Sequence, residues 1–196
     1  MKIFVGAFVL ISLFACQHAR GPSDSKCKLQ GLAIEAALGD AQAQYNLGVE
    51  FHRGENLPQD FGKAAVMWQL ASNGGVVESF NNLGFLTYYG KGVRQDYAEG
   101  VRLWRIAAEK GFAESQIHIG DAYSDGKYLE PDYAEAYAWA KTGRHYATLL
   151  EDAELRKSII EMAEKLLAEG RTKLSEVQLT EADRRGTEYI AKFGPK

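Results

Sequence analysis

The chain has 196 residues, with 23 basic and 26 acidic side chains, a formal net charge of −3, 46% hydrophobic and 25% charged residues. That length suits one domain or a short repeat array, and the apolar share is enough for a buried core, which excludes general disorder. The slight acidic excess, without any concentrated run of Lys and Arg, excludes nucleic acid as the partner, because phosphate binding needs a basic face.

In chain order, Lys2 supplies a positive start and Ile3 to Ala15 is almost wholly apolar. The run is too short to cross a hydrocarbon core of ~30 Å as a helix, and it fits the apolar middle of a signal peptide over residues 1–15. Leu13-Phe14-Ala15-Cys16 resembles the lipobox of bacterial lipoproteins. The resemblance implies lipidation of Cys16 and a membrane anchor through it. Gln17, in place of the Asp that retains such proteins at the inner membrane, implies a periplasmic chain held at the outer membrane. Phe14 departs from the family's small residue, so two other readings stay open. One is a plain secretory signal cut near Ala15 or Ala19, which leaves a soluble periplasmic or secreted chain. The other is an uncleaved anchor.

Residues 16–27 are polar and broken by Gly21 and Pro22, the composition of a flexible tether. Cys16 and Cys27 are the only cysteines. If Cys16 carries lipid, Cys27 is an inert thiol beside the first helix, the preferred reading. Otherwise the two can close a disulfide loop. Two cysteines do not make a four-ligand structural zinc site.

From Lys28 the pattern is helical, and it repeats. Leu47-Gly48, Leu83-Gly84 and Ile119-Gly120 recur at steps of 36, as do the trailing Gly54, Gly90 and Gly126. So do the pairs Asp60-Phe61, Asp96-Tyr97 and Asp132-Tyr133, and the loop residues Leu57, Val93 and Leu129. A period of this size signals stacked helix pairs. The first helix of each pair runs from about Asp40, Val76 or Phe112 to the trailing glycine. Its stripe of Ala43, Leu47 and Phe51 is amphipathic. Gly48 removes a Cβ where a partner helix approaches, and Gly54 can take the left-handed conformation that ends a helix. Each short loop is expected to bury its apolar residue. The aspartates cap the second helix, which carries Ala64, Met67, Trp68 and Ala71 in the first unit, and Leu103, Trp104, Ala107 and Ala108 in the second.

These residues resemble the Sel-one-like repeat, a branch of the tetratricopeptide superfamily. The resemblance implies an all-α fold, a right-handed α-α solenoid of tetratricopeptide-like helix pairs. Units fall at about 40–75, 76–111 and 112–146 within a repeat region of 28–146, where Ala36 and Gly39 keep the register of a preceding half-unit. Thr87 and Gly143 depart from the pattern, and the third unit lacks a closing glycine. Residues 147–196 read as a C-terminal helical cap, with helices at about Ala153–Ala168 and Glu176–Lys192, the second opened by a Ser175/Gln178 capping box. Ile159, Ile160, Met162, Leu166 and Leu167 are expected to pack on the last repeat.

No residue cluster carries catalytic or metal chemistry. His18, His52, His118 and His145 never occur as an i, i+4 pair and read as solvated positions, and no Gly-x-Ser-x-Gly elbow is present. Gly90-Lys91-Gly92 lacks the preceding strand of a phosphate loop. Neither a cofactor nor a metal is expected, and the chain reads as a binding protein, not an enzyme. In the resembling family the first helices line a concave side. By helical phase that face would hold Tyr45, Val49 and His52, then Asn81, Phe85 and Tyr88, then Ile117, Asp121 and Ser124. Phe80, Phe85, Tyr88 and Tyr89 concentrate the aromatic anchors typical of binding hot spots. The resemblance implies a protein–protein interaction module of the bacterial envelope, an adaptor or inhibitor. Members of this kind include assembly factors and immunity proteins that neutralise periplasmic type VI secretion lipase toxins. An envelope hydrolase and a purely structural lipoprotein are the alternatives.

Overall fold

The structure is a computed structural model that describes residues 22–193, with side chains from residue 26 onward. The expected signal peptide, its cleavage, and lipidation of Cys16 lie outside the described residues. Within them every element is an α-helix: α1 (Pro22–Ala37), α2 (Ala41–Arg53), α3 (Phe61–Asn73), α4 (Val77–Tyr89), α5 (Tyr97–Ala108), α6 (Ala113–Ser124), α7 (Tyr133–Ala147), α8 (Ala153–Lys173) and α9 (Glu176–Lys192). The chain divides after Val76 into two compact units.

Helix α1 begins earlier than the sequence suggested. Pro22 does not break the chain but stands at the first helical position, where its fixed φ and missing N–H suit a helix start. In the first unit α2 packs on α1 and α3. Ala36, Ala43 and Leu47 form the core, with Leu29, Leu32, Phe51, Leu57 and Met67 against it. Cys27, expected as a free thiol, is disulfide-bonded, and its partner lies outside the described residues.

In the second unit α4 packs on α5, α6 on α5 and α7, and α8 and α9 on α7. One cluster joins Tyr88, Val101, Trp104, Ile119, Ala122 and Trp139, closed by Phe193. The other joins Ile117, Tyr137 and Tyr146 to the cap residues Ile159, Leu166 and Leu167. The third-unit loop corrects an expectation: Leu129 is 51% exposed, and Tyr128 packs in its stead.

The aspartates cap helices as expected. Asp60 accepts from Lys63 N at 2.9 Å, Asp96 from Glu99 N at 2.9 Å, and Asp132 from Glu135 N at 2.9 Å. Each also ties its loop by a second, repeated bond. The backbone N–H of Asp60, Asp96 and Asp132 donates to the carbonyls of Phe51, Thr87 and Tyr123 at 2.8, 2.9 and 2.9 Å. Gln59 and Gln95 add side-chain bonds to His52 O and Tyr88 O, at 2.8 and 3.1 Å. Pro131 occupies that position in the third unit and has no amide to give. Helix α8 runs past Ala168 to Lys173 because Gly170 is a packing position and not a terminus. A Cβ there would meet the Tyr137 ring at 2.8 Å.

Candidate functional site

In the first two units the repeat positions the first helix over the indole of the second. A Cβ on Gly48 would lie 2.5 Å from Trp68, and one on Gly84 would lie 2.7 Å from Trp104. The indole N–H of Trp68 donates to Tyr45 O at 3.2 Å, and that of Trp104 to Asn81 O at 3.1 Å. This contact fixes which side of the first helix is inward, and therefore which residues are left for a partner.

In the second unit the outward side of α4 carries Phe85 and Tyr89, with ring centroids 4.8 Å apart. Tyr89 is 40% exposed, and the Lys91 ammonium stands 4.7 Å from the Phe85 ring. Half-buried Asp121 on α6 joins them. Burial raises the pKa of its carboxyl while Lys165 opposes the shift, and burial and Asp121 together raise the Tyr89 hydroxyl. Half-buried Ser124 donates to Glu169 of α8 at 2.7 Å, and Asp125 pairs with Lys127 at 3.0 Å. The face is therefore an aromatic pair flanked by alternating charges, held by α4, α6 and the cap helix α8. Such a surface can seat a polypeptide. Among the described residues no group of three or more His, Cys, Asp or Glu side chains could hold a metal ion.

Three of the expected face residues are corrected by burial. Asn81 is 2% exposed because α6 covers it: its carboxamide accepts from Ser115 Oγ at 2.7 Å and donates to Glu114 at 3.1 Å. Ile117 is fully buried under the cap, with Cδ1 2.5 Å from the place a Cβ on Gly143 would take. Tyr88 is 1% exposed; it packs on Trp104 and its hydroxyl donates to the Asp125 carboxylate at 3.0 Å. Burial and that carboxylate raise its pKa. Phe85, Asp121 and Ser124 keep surface. In the first unit Tyr45, Val49 and His52 are half-buried, and the His52 ring lies 5.4 Å from both Phe61 and Trp68.

His118 is corrected as well. It is not solvated but stacked on Trp104 at 4.8 Å, and burial lowers its pKa to about 4. Asp125, Lys127, Lys165 and Glu169 also stand on this face, and no repeat position or helical phase in the sequence marks them. The signal that finds Tyr89 is the i+4 step from Phe85 in preference to the i+3 step to Tyr88.

The sequence profile of the Sel1 repeat matches residues 41–76, 79–112 and 113–142. The chain belongs to the Sel1 repeat family. Its three Sel1 units are the three helix pairs α2–α3, α4–α5 and α6–α7. Among solved structures, it is similar to c5321, a protective antigen present in uropathogenic Escherichia coli strains that displays an SLR fold. That likeness has 28% identity and a TM-score of 0.71, over 87% of this chain and 34% of that one. This chain thus spans about a third of that protein's length. A Sel1 repeat protein from Oxalobacter formigenes is similar at 25% identity and a TM-score of 0.51, over 68% of this chain and 98% of that one. No curated protein sequence matches. Sel1 repeat proteins generally mediate protein–protein interaction, and the fold is typically a non-catalytic scaffold.

Proposed function

We propose that this Sel1 repeat chain is a protein-binding module of the bacterial cell envelope, an adaptor or inhibitor that holds its partner on the face of α4, α6 and α8. One observation carries the reading. Tyr89 is 40% exposed and stands beside half-buried Phe85 on first-type helix α4, whose other aromatic of that turn, Tyr88, is buried. Rigid aromatics with adjacent charges are the usual anchors of a protein interface. The test is capture of a partner by the purified chain, compared with the double variant Phe85→Ala/Tyr89→Ala. A stoichiometric partner lost by at least about tenfold supports the reading, since a hot-spot pair contributes above ~1.4 kcal/mol. Equal capture by both proteins overturns it.

Export by the apolar start is part of the same proposal. The two routes divide at Cys16, which either carries a lipid thioether at the outer membrane or leaves its sulfur for Cys27. The disulfide at Cys27, in a chain with a single other cysteine, supports the soluble periplasmic form over the lipidated one. No helix among the described residues is long and apolar enough to cross a membrane. Intact mass of the mature chain decides: an acylated species assigns the anchor, and an unmodified mass two hydrogens short assigns the disulfide.

A further inference from the structure

The first unit holds an open groove of about 540 Å³ between α1 and α2. Its walls include Lys28, Leu32 and Glu35 of α1 and Asn46 and Glu50 of α2. Two 36-residue steps along the chain, these positions are Gly100, Trp104, Ala107, His118 and Ala122. In the second unit those residues form the seat of α4. Gly100 lies against Tyr88, and Trp104 lies under Gly84 with its N–H on Asn81 O. Ala107 is fully buried, His118 stands 6.1 Å from Phe85, and Ala122 shares a cluster with Tyr88. The groove thus repeats, position for position, the seat of a first-type helix, and among the described residues none lies in it.

The polar replacements are ordered in a way that solvation of an array end does not require. Helices α4 and α5 are antiparallel, since Gly84 faces Trp104 while Tyr88, near the end of α4, faces Gly100. In the third pair, Gly143, three steps on from Glu35, faces Ala113 and Ile117 at the start of α6. A helix seated on α1 in the same sense would have its first turn beside Glu35 and its last turn beside Lys28. An acid at the positive end and a base at the negative end are the signs that stabilise a helix dipole. Glu50, whose carboxylate accepts from Asn56 Nδ2 at 2.8 Å, adds negative charge along the flank.

We propose that this groove receives an amphipathic helix of about three turns from a partner protein, lying antiparallel to α1. Its facing stripe has a small residue over Leu32 and uncharged or basic residues toward Glu50. The groove is built from first-unit residues and the face of α4, α6 and α8 from second-unit residues, so the two are tested by different substitutions.

The probe is a fluorescein-labelled peptide of residues 76–92 carrying Tyr88→Ala, which leaves room for the Lys28 side chain where the equivalent position is Gly100. Anisotropy with the whole chain is compared with two variants at exposed positions, Glu35→Lys and Asn46→Trp. Saturable binding, weakened about fivefold by Glu35→Lys through reversal of the dipole contact and abolished by Asn46→Trp, is the expected result. Phe85→Ala/Tyr89→Ala is expected to leave it unchanged. No saturation at concentrations on the order of 1 mM, or binding indifferent to both groove variants, overturns the proposal. So does a dimer of the chain in sedimentation that Asn46→Trp dissolves, since it would assign the groove to a second copy.

Discussion

The indole of Trp104 lies across the backbone of Gly84, so close that a Cβ there would stand 2.7 Å from Cδ1 and 2.8 Å from Nε1. The same indole N–H is bonded to Asn81 O at 3.1 Å, so the ring cannot retreat without leaving a buried donor unpaired. In the third unit Ala140 stands at the Trp position, and a Cβ on Gly120 would meet Ala136 O and Leu166 Cδ1 at 3.1 Å. Gly84→Ala is therefore expected to cost about 2 kcal/mol despite its gain in helix propensity, with Gly84→Val more severe. Gly120→Ala is expected to cost less. Equal thermal melts for the two alanine variants would contradict this packing.

The loop architecture gives a second stability expectation. Asp96 caps α5 through Glu99 N at 2.9 Å, on an exposed position where little else depends on its carboxylate. Asp96→Ala should cost about 1 kcal/mol, and Asp96→Asn much less, because Asn caps nearly as well. Denaturant midpoints at constant slope measure both. A loss as large for Asn as for Ala would mean that the charge, and not the cap, is what matters.

How much of this was legible in the sequence follows from the same residues. The glycine, aspartate and loop positions recur in step, and each has one local job, a close approach or a cap, that its side chain alone can signal. The binding face depends on helical phase against neighbours, which a single helix does not reveal. Asn81 and Ile117 sit where the next first-type helix or the cap covers them, and the step from Phe85 goes to Tyr89 while Tyr88 turns under Trp104. Likewise Trp139 comes one residue before the Trp position, at 1% exposure, where it stacks on Phe193 with centroids 5.5 Å apart. The missing closing glycine of the third unit points to a cap, but nothing local there announces that Phe193 returns to stack on Trp139.

Burial of His118 makes stability pH-dependent. Its pKa is lowered to about 4 from 6.5 by desolvation, so between those values the folded chain binds fewer protons than the unfolded one. The stability is fully present above about pH 6.5 and is lost as pH falls toward 4, on the order of 3 kcal/mol at the acid end. Glu114, 3.9 Å from His118 Nε2, works in the opposite sense because burial raises its pKa. His118→Asn installs the residue found at the two equivalent positions, Asn46 and Asn82. It is expected to flatten the fall in Tm between pH 7 and pH 4. An unchanged slope would place the acid sensitivity elsewhere.

The chemistry of Cys27 is testable apart from the fold. Non-reducing alkylation of the native chain is expected to leave Cys27 unlabelled, and prior reduction to expose it, because the structure holds it in a disulfide. Labelling of Cys27 without reduction, together with an acyl mass on Cys16, would return the chain to the lipid-anchored form.

The central claim is that this chain works by holding another protein on the aromatic pair of α4. Quantitative affinity capture from envelope extracts, read by mass spectrometry, tests it most directly when wild type, Phe85→Ala/Tyr89→Ala and the surface control Val177→Ala are run together. One stoichiometric protein is expected with wild type and Val177→Ala, depleted by at least about tenfold with the double variant. The same protein recovered equally with all three would contradict it.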